Sequence, residues 1–356
     1  MSTSDPSTCL VTGGAGFIGC ALSAGLADRF DRVVALDNLH PQVHPTPNRP
    51  EALDDRVELV VGDVTSESTW DDLLGDVRPT TVVHLAAETG TAQSLTEASR
   101  HSMVNVVGTT RMLDALVRHD ALPERILLTS SRAVYGEGAW VDAEGAVSYP
   151  GQRSAAMLAA GQWDFPGLTA LPFEASRTVP QPTSVYGATK LAQEHVLASW
   201  CRAVDVVPVV LRLQNVYGPG QSLSNPYTGI VSLFARLARA GEVIPVYEDG
   251  NIIRDFVFID DVVAALLRAL VADASDRAYD VGSGEATSIM RLAEVVAERY
   301  GAPAPVVNGM FRNGDVRAAS GDITATRDRL EWTPEVLVDE GVGRLCEWVD
   351  GELADD

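Results

Sequence analysis

The first half of the chain alternates short β-branched runs with amphipathic stretches of helical pattern. The runs TCLVTGG, RVVALD, VELVVGD, TVVHLAA and RILLTSS precede the helical stretch YGATKLAQEHVLASWC, and the run VVPVVLRLQNVYG follows it. Strands that alternate with helices form βαβ units, in which a parallel sheet is covered by helices on both faces. The sequence therefore predicts an α/β fold with a doubly wound parallel sheet.

Two further parts of the chain differ from this pattern. Beyond about Gly218 there is more glycine and proline and the strand-like runs are shorter. We predict a sheet domain over residues 1–217 and a smaller mixed α/β lobe over residues 218–356, some segments of which return to the main sheet. Residues 137–182 form a polar insertion between RILLTSS and YGATK. A loop this long inside a compact domain is usually functional or an added subdomain.

Charge and cysteine content narrow the partners and the location. A formal net charge of −22 leaves no basic stripe for nucleic-acid phosphates. The longest apolar runs fall far short of the roughly 20 residues of a membrane span, and the first residues lack a secretory signal pattern. Cys9, Cys20, Cys201 and Cys346 show no metal-ligand spacing and fit reduced thiols. We therefore expect a cytoplasmic protein without a nucleic-acid or membrane partner.

A glycine-rich turn follows the first predicted strand. In VTGGAGFIG, Gly13, Gly16 and Gly19 lie between a strand and a helix, where glycines let the backbone turn tightly and approach a pyrophosphate at the helix N-terminus. Asp37 ends the second strand, 18 residues beyond Gly19, and no arginine directly follows it. A carboxylate there binds a ribose 2′-OH and repels a 2′-phosphate. The pattern predicts a Rossmann-like domain that prefers NAD to NADP.

Asp63, in VVGDV, has two interpretations. Its position is that expected of a group that touches adenine, but a strand-end aspartate also caps the following turn. The sequence leaves both open.

A candidate catalytic pair lies in SVYGATKLAQE. Tyr186 and Lys190 are four residues apart and therefore share one face of a helix. A tyrosine with a pKa of about 10 is a poor base at neutral pH, but a nearby lysine and a positive nicotinamide ring favour the phenolate. Ser131, at the end of RILLTSS, would hold the substrate hydroxyl.

These motifs together resemble the extended short-chain dehydrogenase/reductases that act on nucleotide sugars. The matching stretches are TGGAGFIG, GDV, HLAA, TSSRAVYG, YGATK, LRLQNVYGPG and RDFVFIDDVV, which run from residue 10 to about 325. The resemblance implies Ser131, Tyr186 and Lys190 as the catalytic residues. It also implies an NAD site, formed by the residues Gly13, Gly16, Phe17, Ile18, Gly19, Asp37, Asn38, Asp63, Val64, His84, Leu85, Ala86, Ala87, Asn105, Thr129, Tyr186, Lys190 and Val216.

The same resemblance implies that a nucleotide-diphosphate sugar is the substrate. Asn215 would contact the nucleotide sugar, and Arg254 and Arg312 would hold the diphosphate, although surface salt bridges are the alternative for both arginines. The implied substrate-binding residues are Thr89, Ser131, Arg132, Asn215, Asn225, Tyr227, Val246, Arg254, Arg312 and Asp315.

The two residues after Ser131 distinguish between the reactions of this family. The similar 4,6-dehydratases carry Asp-Glu there, which supplies an acid and a base. In related decarboxylases the second residue of the pair is also Glu. The similar epimerase-reductases use a cysteine. Here the two residues are Arg132 and Ala133. What remains is oxidation of a secondary alcohol and return of the hydride to the other face of the keto-sugar, which is a 4-epimerase reaction.

A narrower resemblance concerns the sugar. SSRAVYGEG, the insertion, SVYGATKLAQE and LQNVYGPGQSLSNPYTGI are similar to the dTDP-L-rhamnose 4-epimerase group, which interconverts dTDP-L-rhamnose and dTDP-6-deoxy-L-talose. Some of its members have cysteine metal ligands in the insertion, whereas residues 137–182 contain no cysteine. We therefore expect no metal. The insertion either covers the sugar site or packs on the surface.

Other assignments remain open at this stage. A UDP-sugar 4-epimerase, an NAD-dependent nucleotide-sugar dehydrogenase or 4-keto reductase, and a non-catalytic NAD-sensing protein are the alternatives. The family also implies a homodimer formed through the helices near residues 100–118 and 186–200, although the apolar stripe of the second helix is equally expected of a helix that faces its own core.

Overall fold

The computed structural model describes residues 7–44, 46–223, 229–275 and 277–354. The predicted contacts of Asn225 and Tyr227 lie outside these residues. The strands are β1 (Thr8–Thr12), β2 (Arg32–Asp37), β3 (Val57–Val61), β4 (Thr81–His84), β5 (Arg125–Ser131), β6 (Trp140–Val141), β7 (Val147–Ser148), β8 (Thr169–Ala170), β9 (Val207–Leu213), β10 (Asn215–Tyr217), β11 (Pro245–Val246), β12 (Ile253–Arg254), β13 (Phe256–Phe258), β14 (Ala278–Val281), β15 (Thr287–Ser288), β16 (Val306–Val307) and β17 (Ala318–Ala319).

The helices lie between these strands, and a π-helical segment, Met103–Gly108, joins two of them into one continuous run. The helices are α1 (Phe17–Ala27), α2 (Glu67–Asp76), α3 (Gln93–Thr96), α4 (Ala98–Ser102), α5 (Thr109–Arg118), α6 (Ala155–Ala159), α7 (Val185–Val204), α8 (Ile230–Arg239), α9 (Ile259–Ala269), α10 (Ile289–Tyr300), α11 (Thr324–Leu330) and α12 (Val338–Glu352). A short 3₁₀ turn, Arg132–Tyr135, follows β5.

A seven-stranded parallel sheet forms the centre of the fold, in the order β14–β9–β5–β4–β1–β2–β3. Side chains alternate between its faces: Cys9 and Val11 pack with α1 and α9, whereas Leu10 packs with α2, α5 and α7. Both faces are therefore covered by helices. The predicted α/β class and the doubly wound sheet are confirmed.

The order of the strands places a crevice at the carboxyl ends of β1 and β4. The chain runs outward from β1 through β2 and β3 on one side and through β4, β5 and β9 on the other. Ligands of open α/β sheets bind at such a switch point. The glycine turn follows β1, and residues 85–87 follow β4, so both predicted cofactor segments meet there.

Residues beyond 218 build a second apolar core and also contribute to the first. Helices α8, α10 and α12 pack around the aromatic side chains of Tyr217, Phe256 and Phe258. Strand β14, by contrast, pairs with β9 in the main sheet, and α9 packs on α1. The two-domain division at residue 217 remains a prediction.

The insertion has secondary structure of its own. It forms a three-stranded antiparallel sheet in the order β7–β6–β8, and the short helix α6 lies between β7 and β8 in the chain.

Within the described ranges, no helix has the length and apolar character needed to cross a membrane, and no group of three or more His, Cys, Asp or Glu side chains is arranged to hold a metal ion. All four cysteines are free.

Candidate active site

The glycine turn brings β1, α1 and the end of β4 into close contact. Gly13 has φ +67°, and a Cβ built on it would lie 2.7 Å from the amide nitrogen of Ala86. A Cβ on Gly19 would lie 2.4 Å from the carbonyl oxygen of Gly14. Only glycine fits at these two positions. The contact at Gly13 brings the chain after β4 next to the glycine turn.

The N-terminus of α1 is suited to an anion. Gly16 caps the helix without a side-chain hydrogen bond, and the first turn contains no acidic residue. Free N–H groups and the helix dipole favour a negatively charged group at such an end. The residues present therefore fit the pyrophosphate of a dinucleotide. Phe17 and Ile18, in the same turn, are half-buried and pack against the second core.

Asp37 is fixed at the edge of this crevice. Its two carboxylate oxygens accept hydrogen bonds from the backbone N–H groups of Ala15 (3.0 Å) and Leu39 (2.9 Å). His44 Nε2 lies 3.7 Å from one of them. Each carboxylate oxygen can accept a further hydrogen bond, so the group can still bind a ribose hydroxyl.

Replacing Asp37 by alanine is expected to weaken NAD binding by about 10- to 100-fold, because charge-assisted hydrogen bonds are lost. Discrimination against NADP should fall as well. Binding of both cofactors can be followed by protein fluorescence. Asp31→Ala is a matched control, since that carboxylate lies next to the start of β2 and accepts hydrogen bonds from the N–H and the hydroxyl of Ser7. Unchanged affinity for both cofactors would contradict this role.

Asp63 caps the turn after β3. One of its oxygens accepts the N–H and the hydroxyl of Thr65, both at 2.7 Å, and the other accepts Asn38 Nδ2 at 3.1 Å. Burial raises the pKa of Asp63, but these hydrogen bonds outweigh it and the pKa is lowered overall. The capping interpretation describes the structure, and the contact with adenine stays a prediction. Val64, next to it, is buried in the core.

His84 and Asn105 are fully buried and bonded to the protein. His84 Nδ1 lies 2.6 Å from Thr12 Oγ1, and its Nε2 lies 2.9 Å from Thr109 Oγ1. Burial and, to a smaller extent, the charge of Lys190 lower the pKa of His84 to about 3. The amide of Asn105 bonds the backbone of Glu88 and Thr189 Oγ1. Through bonds to Gln193 and Thr189, these two side chains connect β4 and the preceding π-helical segment with α7. Their contact with NAD stays a prediction.

Helix α7 places Tyr186 beside Ser131. Ser184 caps this helix, and the N–H of Tyr186 donates to Ser94 Oγ at 3.1 Å. The Tyr186 hydroxyl and the Ser131 hydroxyl lie close enough to interact. Burial raises the pKa of Tyr186, while the Ser131 hydroxyl and the charge of Arg132 act in the opposite direction. The structure thus brings the predicted hydroxyl pair together.

Lys190 lies one turn further along α7, with only 2% of its surface exposed. Burial lowers the pKa of Lys190 to about 7, against an opposing effect of Glu194. Its ammonium donates to Gln193 Oε1, and Gln193 Nε2 in turn donates to Thr109 Oγ1 at 2.8 Å. A chain of buried polar side chains therefore runs through Lys190, Gln193, Thr109 and His84.

Two arginines, Arg132 after β5 and Arg254 in β12, lie near each other. Arg132 Nε donates to Asn215 Oδ1 at 2.6 Å, and Arg254 Nη2 donates to Asp315 Oδ1 at 2.6 Å. Burial and the nearby charge of Arg254 lower the pKa of Arg132 to about 9. In a chain of net charge −22, this pair fits an anionic diphosphate. Arg312 is exposed, and its guanidinium lies over the ring of Tyr247 at 5.2 Å; its contact with the diphosphate stays a prediction.

The remaining predicted residues lie around the cleft or in the cores. Thr89 is exposed, and its carbonyl oxygen lies 3.2 Å from His101 Nε2, which belongs to a ring packed edge-on to Tyr186. The side chain of Val246 is fully buried in the second core, so only its backbone can reach a ligand. The others lie just after β4 or within β5 and β10, namely Leu85, Ala86, Ala87, Thr129 and Val216.

A buried network behind α7 was missed by the sequence analysis. Glu194 accepts two hydrogen bonds from Arg212, at 3.0 and 2.7 Å, and one from Ser130 Oγ. The guanidinium of Arg212 also stacks on Tyr135, whose hydroxyl donates to Asp280 at 2.8 Å. The available signal was spacing, because Glu194 is four residues beyond Lys190 and therefore on the same buried face.

Comparison with known proteins identifies this arrangement. Residues 9–282 match the NAD dependent epimerase/dehydratase family. A dTDP-L-rhamnose 4-epimerase of Burkholderia thailandensis is 60% identical over 345 residues, which cover 97% of this chain and 95% of that protein. The chain belongs to the NAD dependent epimerase/dehydratase family.

Solved structures agree with this assignment. A UDP-glucose 4-epimerase of Thermotoga maritima with UDP-glucose is 28% identical, with a TM-score of 0.80 over 97% of this chain and 99% of that one. A UDP-glucose 4-epimerase of Thermus thermophilus in complex with NAD is 27% identical, with a TM-score of 0.78 over 97% and 100%. The predicted family, the isomerase class and the NAD cofactor are confirmed.

Proposed function

We propose that this protein is an NAD-dependent 4-epimerase that interconverts dTDP-L-rhamnose and dTDP-6-deoxy-L-talose. The observation that carries the proposal is the pairing of Ser131 with Tyr186, one helical turn from the buried Lys190. In the sequence, Ser131 is followed by Arg132 and Ala133. Elimination of water from a sugar needs an acid and a base next to the reacting carbons. Neither Arg132, which bonds Asn215, nor Ala133 supplies a carboxylate.

The side chains of the site would move one proton. Ser131 would hold the C4 hydroxyl, and Tyr186 as the phenolate would take its proton. NAD, when bound, supplies the hydride chemistry at C4. Lys190, one turn behind, would stabilise the negative charge of the phenolate. Tyr186 would return the proton after the keto-sugar has turned to present its other face.

The choice of sugar rests on the most similar relative reported above. At 60% identity over 97% of the chain, shared substrate recognition is the simplest inference, and the two arginines near Asn215 support a diphosphate-linked sugar. The alternative is a UDP-sugar, since the solved relative from Thermotoga maritima is a UDP-glucose 4-epimerase. Both substrates would place the diphosphate near Arg254.

We also infer a cytoplasmic homodimer. Four free cysteines fit a reducing compartment. The run from α4 to α5 exposes apolar side chains at Met103 and Val117, which are 47% and 53% exposed. Exposed apolar groups along a helix favour a protein partner, and a second copy burying this run beside α7 would cover them. Light scattering would test the dimer.

Proton NMR of the purified protein with dTDP-L-rhamnose, without added cofactor, tests the activity. A second anomeric signal should grow to a fixed ratio with no rise in absorbance at 340 nm, because the hydride taken from C4 is returned. A keto-sugar that appears only when NAD is supplied would make the protein a dehydrogenase. An unchanged spectrum would exclude this sugar, and the same experiment with UDP-glucose would then test the alternative.

A further inference from the structure

The insertion is attached to the second lobe by a buried arginine. Arg153, at the start of α6, is only 2% exposed. Its guanidinium donates to Glu248 at 2.8 and 2.9 Å and to Glu137 at 3.3 Å. It also donates to the backbone oxygen of Trp163 at 3.1 Å. One side chain thus joins the start and the middle of the insertion to the loop after β11.

A second buried arginine completes this cluster. Arg317, 4% exposed, donates to Glu248, to Asp249 and to Asp164 of the insertion, with distances between 2.7 and 3.2 Å. Its N–H donates to Glu137 Oε2 at 2.9 Å. Buried ions are tolerated only when geometry and partners are nearly complete, and here both guanidinium groups are surrounded by acceptors. The cluster therefore fixes the relative position of the insertion and the second lobe.

The cluster also reaches the arginine at the diphosphate site. Arg153 Nη2 donates to the backbone oxygen of Asp315 at 2.9 Å. The carboxylate of the same Asp315 accepts Arg254 Nη2 at 2.6 Å. Trp163 of the insertion packs against Phe311, with ring centroids 6.2 Å apart. The insertion therefore holds Asp315 by its backbone oxygen, and the side chain of Asp315 holds Arg254.

We propose that Arg153 is a positioning residue for nucleotide-sugar binding: through Asp315, the insertion sets the orientation of Arg254 toward the diphosphate. This inference rests on the proposed function, because it requires that Arg254 bind the diphosphate. Arg153 itself does not touch the substrate. An arginine is required because its planar fork serves several acceptors at once, whereas a lysine ammonium cannot match that geometry.

The test is a double-mutant cycle on the NAD-loaded protein, with dTDP as the probe in titration calorimetry. Arg254→Met and Arg153→Met should each weaken dTDP binding by about tenfold or more, and the double variant should bind about as well as Arg254→Met alone. With the nucleotide sugar, KM should rise much more than kcat falls. Losses that multiply in the double variant, or an unchanged affinity in Arg153→Met, would overturn the inference.

Two further variants keep the result interpretable. Arg177→Met is the matched control, because Arg177 joins the insertion to Asp322 at 3.0 Å but its side chain is 71% exposed. Its dTDP affinity should stay within about twofold of the parent. If Arg153→Met does not fold, Arg153→Lys retains the charge and should show the same loss. Full dTDP affinity in Arg254→Met would rule out the proposed diphosphate contact. A loss of affinity in Arg254→Met but not in Arg153→Met would rule out only the role of Arg153.

Discussion

Phenylalanine in place of Tyr186 is expected to lower kcat by about 10²- to 10⁴-fold, the range of a lost general acid–base group. The phenolic hydroxyl is the only group removed, and it interacts with Ser131, one helical turn from the buried Lys190. The helix itself should persist, because the Ser184 cap and the Ser94 contact involve the backbone of this turn. NAD content and the melting temperature should therefore change little.

Turnover by the NMR assay and NAD content by absorbance after denaturation would check this result. Tyr149→Phe is the matched control, since Tyr149 lies in the insertion and its hydroxyl bonds only backbone groups of Arg177 and Val179 among the contacts found. Retention of more than a tenth of the parental kcat in Tyr186→Phe would rule out Tyr186 as the proton acceptor.

The second large effect concerns stability. Replacing Arg212 by methionine should lower the free energy of unfolding by about 3–5 kcal/mol, because it leaves the buried carboxylate of Glu194 without its ionic partner. Both side chains are nearly inaccessible, at 7% and 9%, and they are joined at 2.7 Å. Arg212 also stacks on Tyr135 at 4.8 Å. Urea denaturation followed by circular dichroism would measure the loss.

Arg291→Met removes the same atoms from a solvent-exposed pair. Arg291 and Asp339 are 48% and 64% exposed at 2.9 Å, and such pairs contribute little to stability. Its denaturation midpoint should stay near that of the parent. Equal destabilisation of the two variants would show that burial of the Arg212–Glu194 pair does not determine its contribution.

The sheet and the placement of Ser131, Tyr186 and Lys190 could be predicted because local patterns determine them. Strand-sized apolar runs alternating with helices specify a parallel sheet, and the spacing of Tyr186 and Lys190 places them on one helical face. The Rossmann turn could be read from Gly13, whose positive φ and contact with Ala86 leave no room for a side chain. In each case the physical requirement acts within a short stretch of sequence.

The networks that surround these groups could not be predicted, because their partners are distant in the chain. Arg212 meets Glu194 only after β9 has paired with β5. Arg153 meets Glu248 across 95 residues. The strands of the insertion have two residues each, too few for a periodic pattern. Ordinary helix and strand signals therefore gave no sign of the cluster that attaches the insertion.

The order of the strands determines how long a ligand must be to contact both ends of the cleft. Asp37 ends β2 and Ser131 ends β5, and β1 and β4 lie between them. Three neighbouring-strand spacings of about 4.8 Å separate the two residues by roughly 14 Å. The strand order therefore sets a minimum length for a ligand that reaches both residues. We expect a fragment as short as AMP to reach Asp37 or Ser131 but not both, whereas a dinucleotide can reach both.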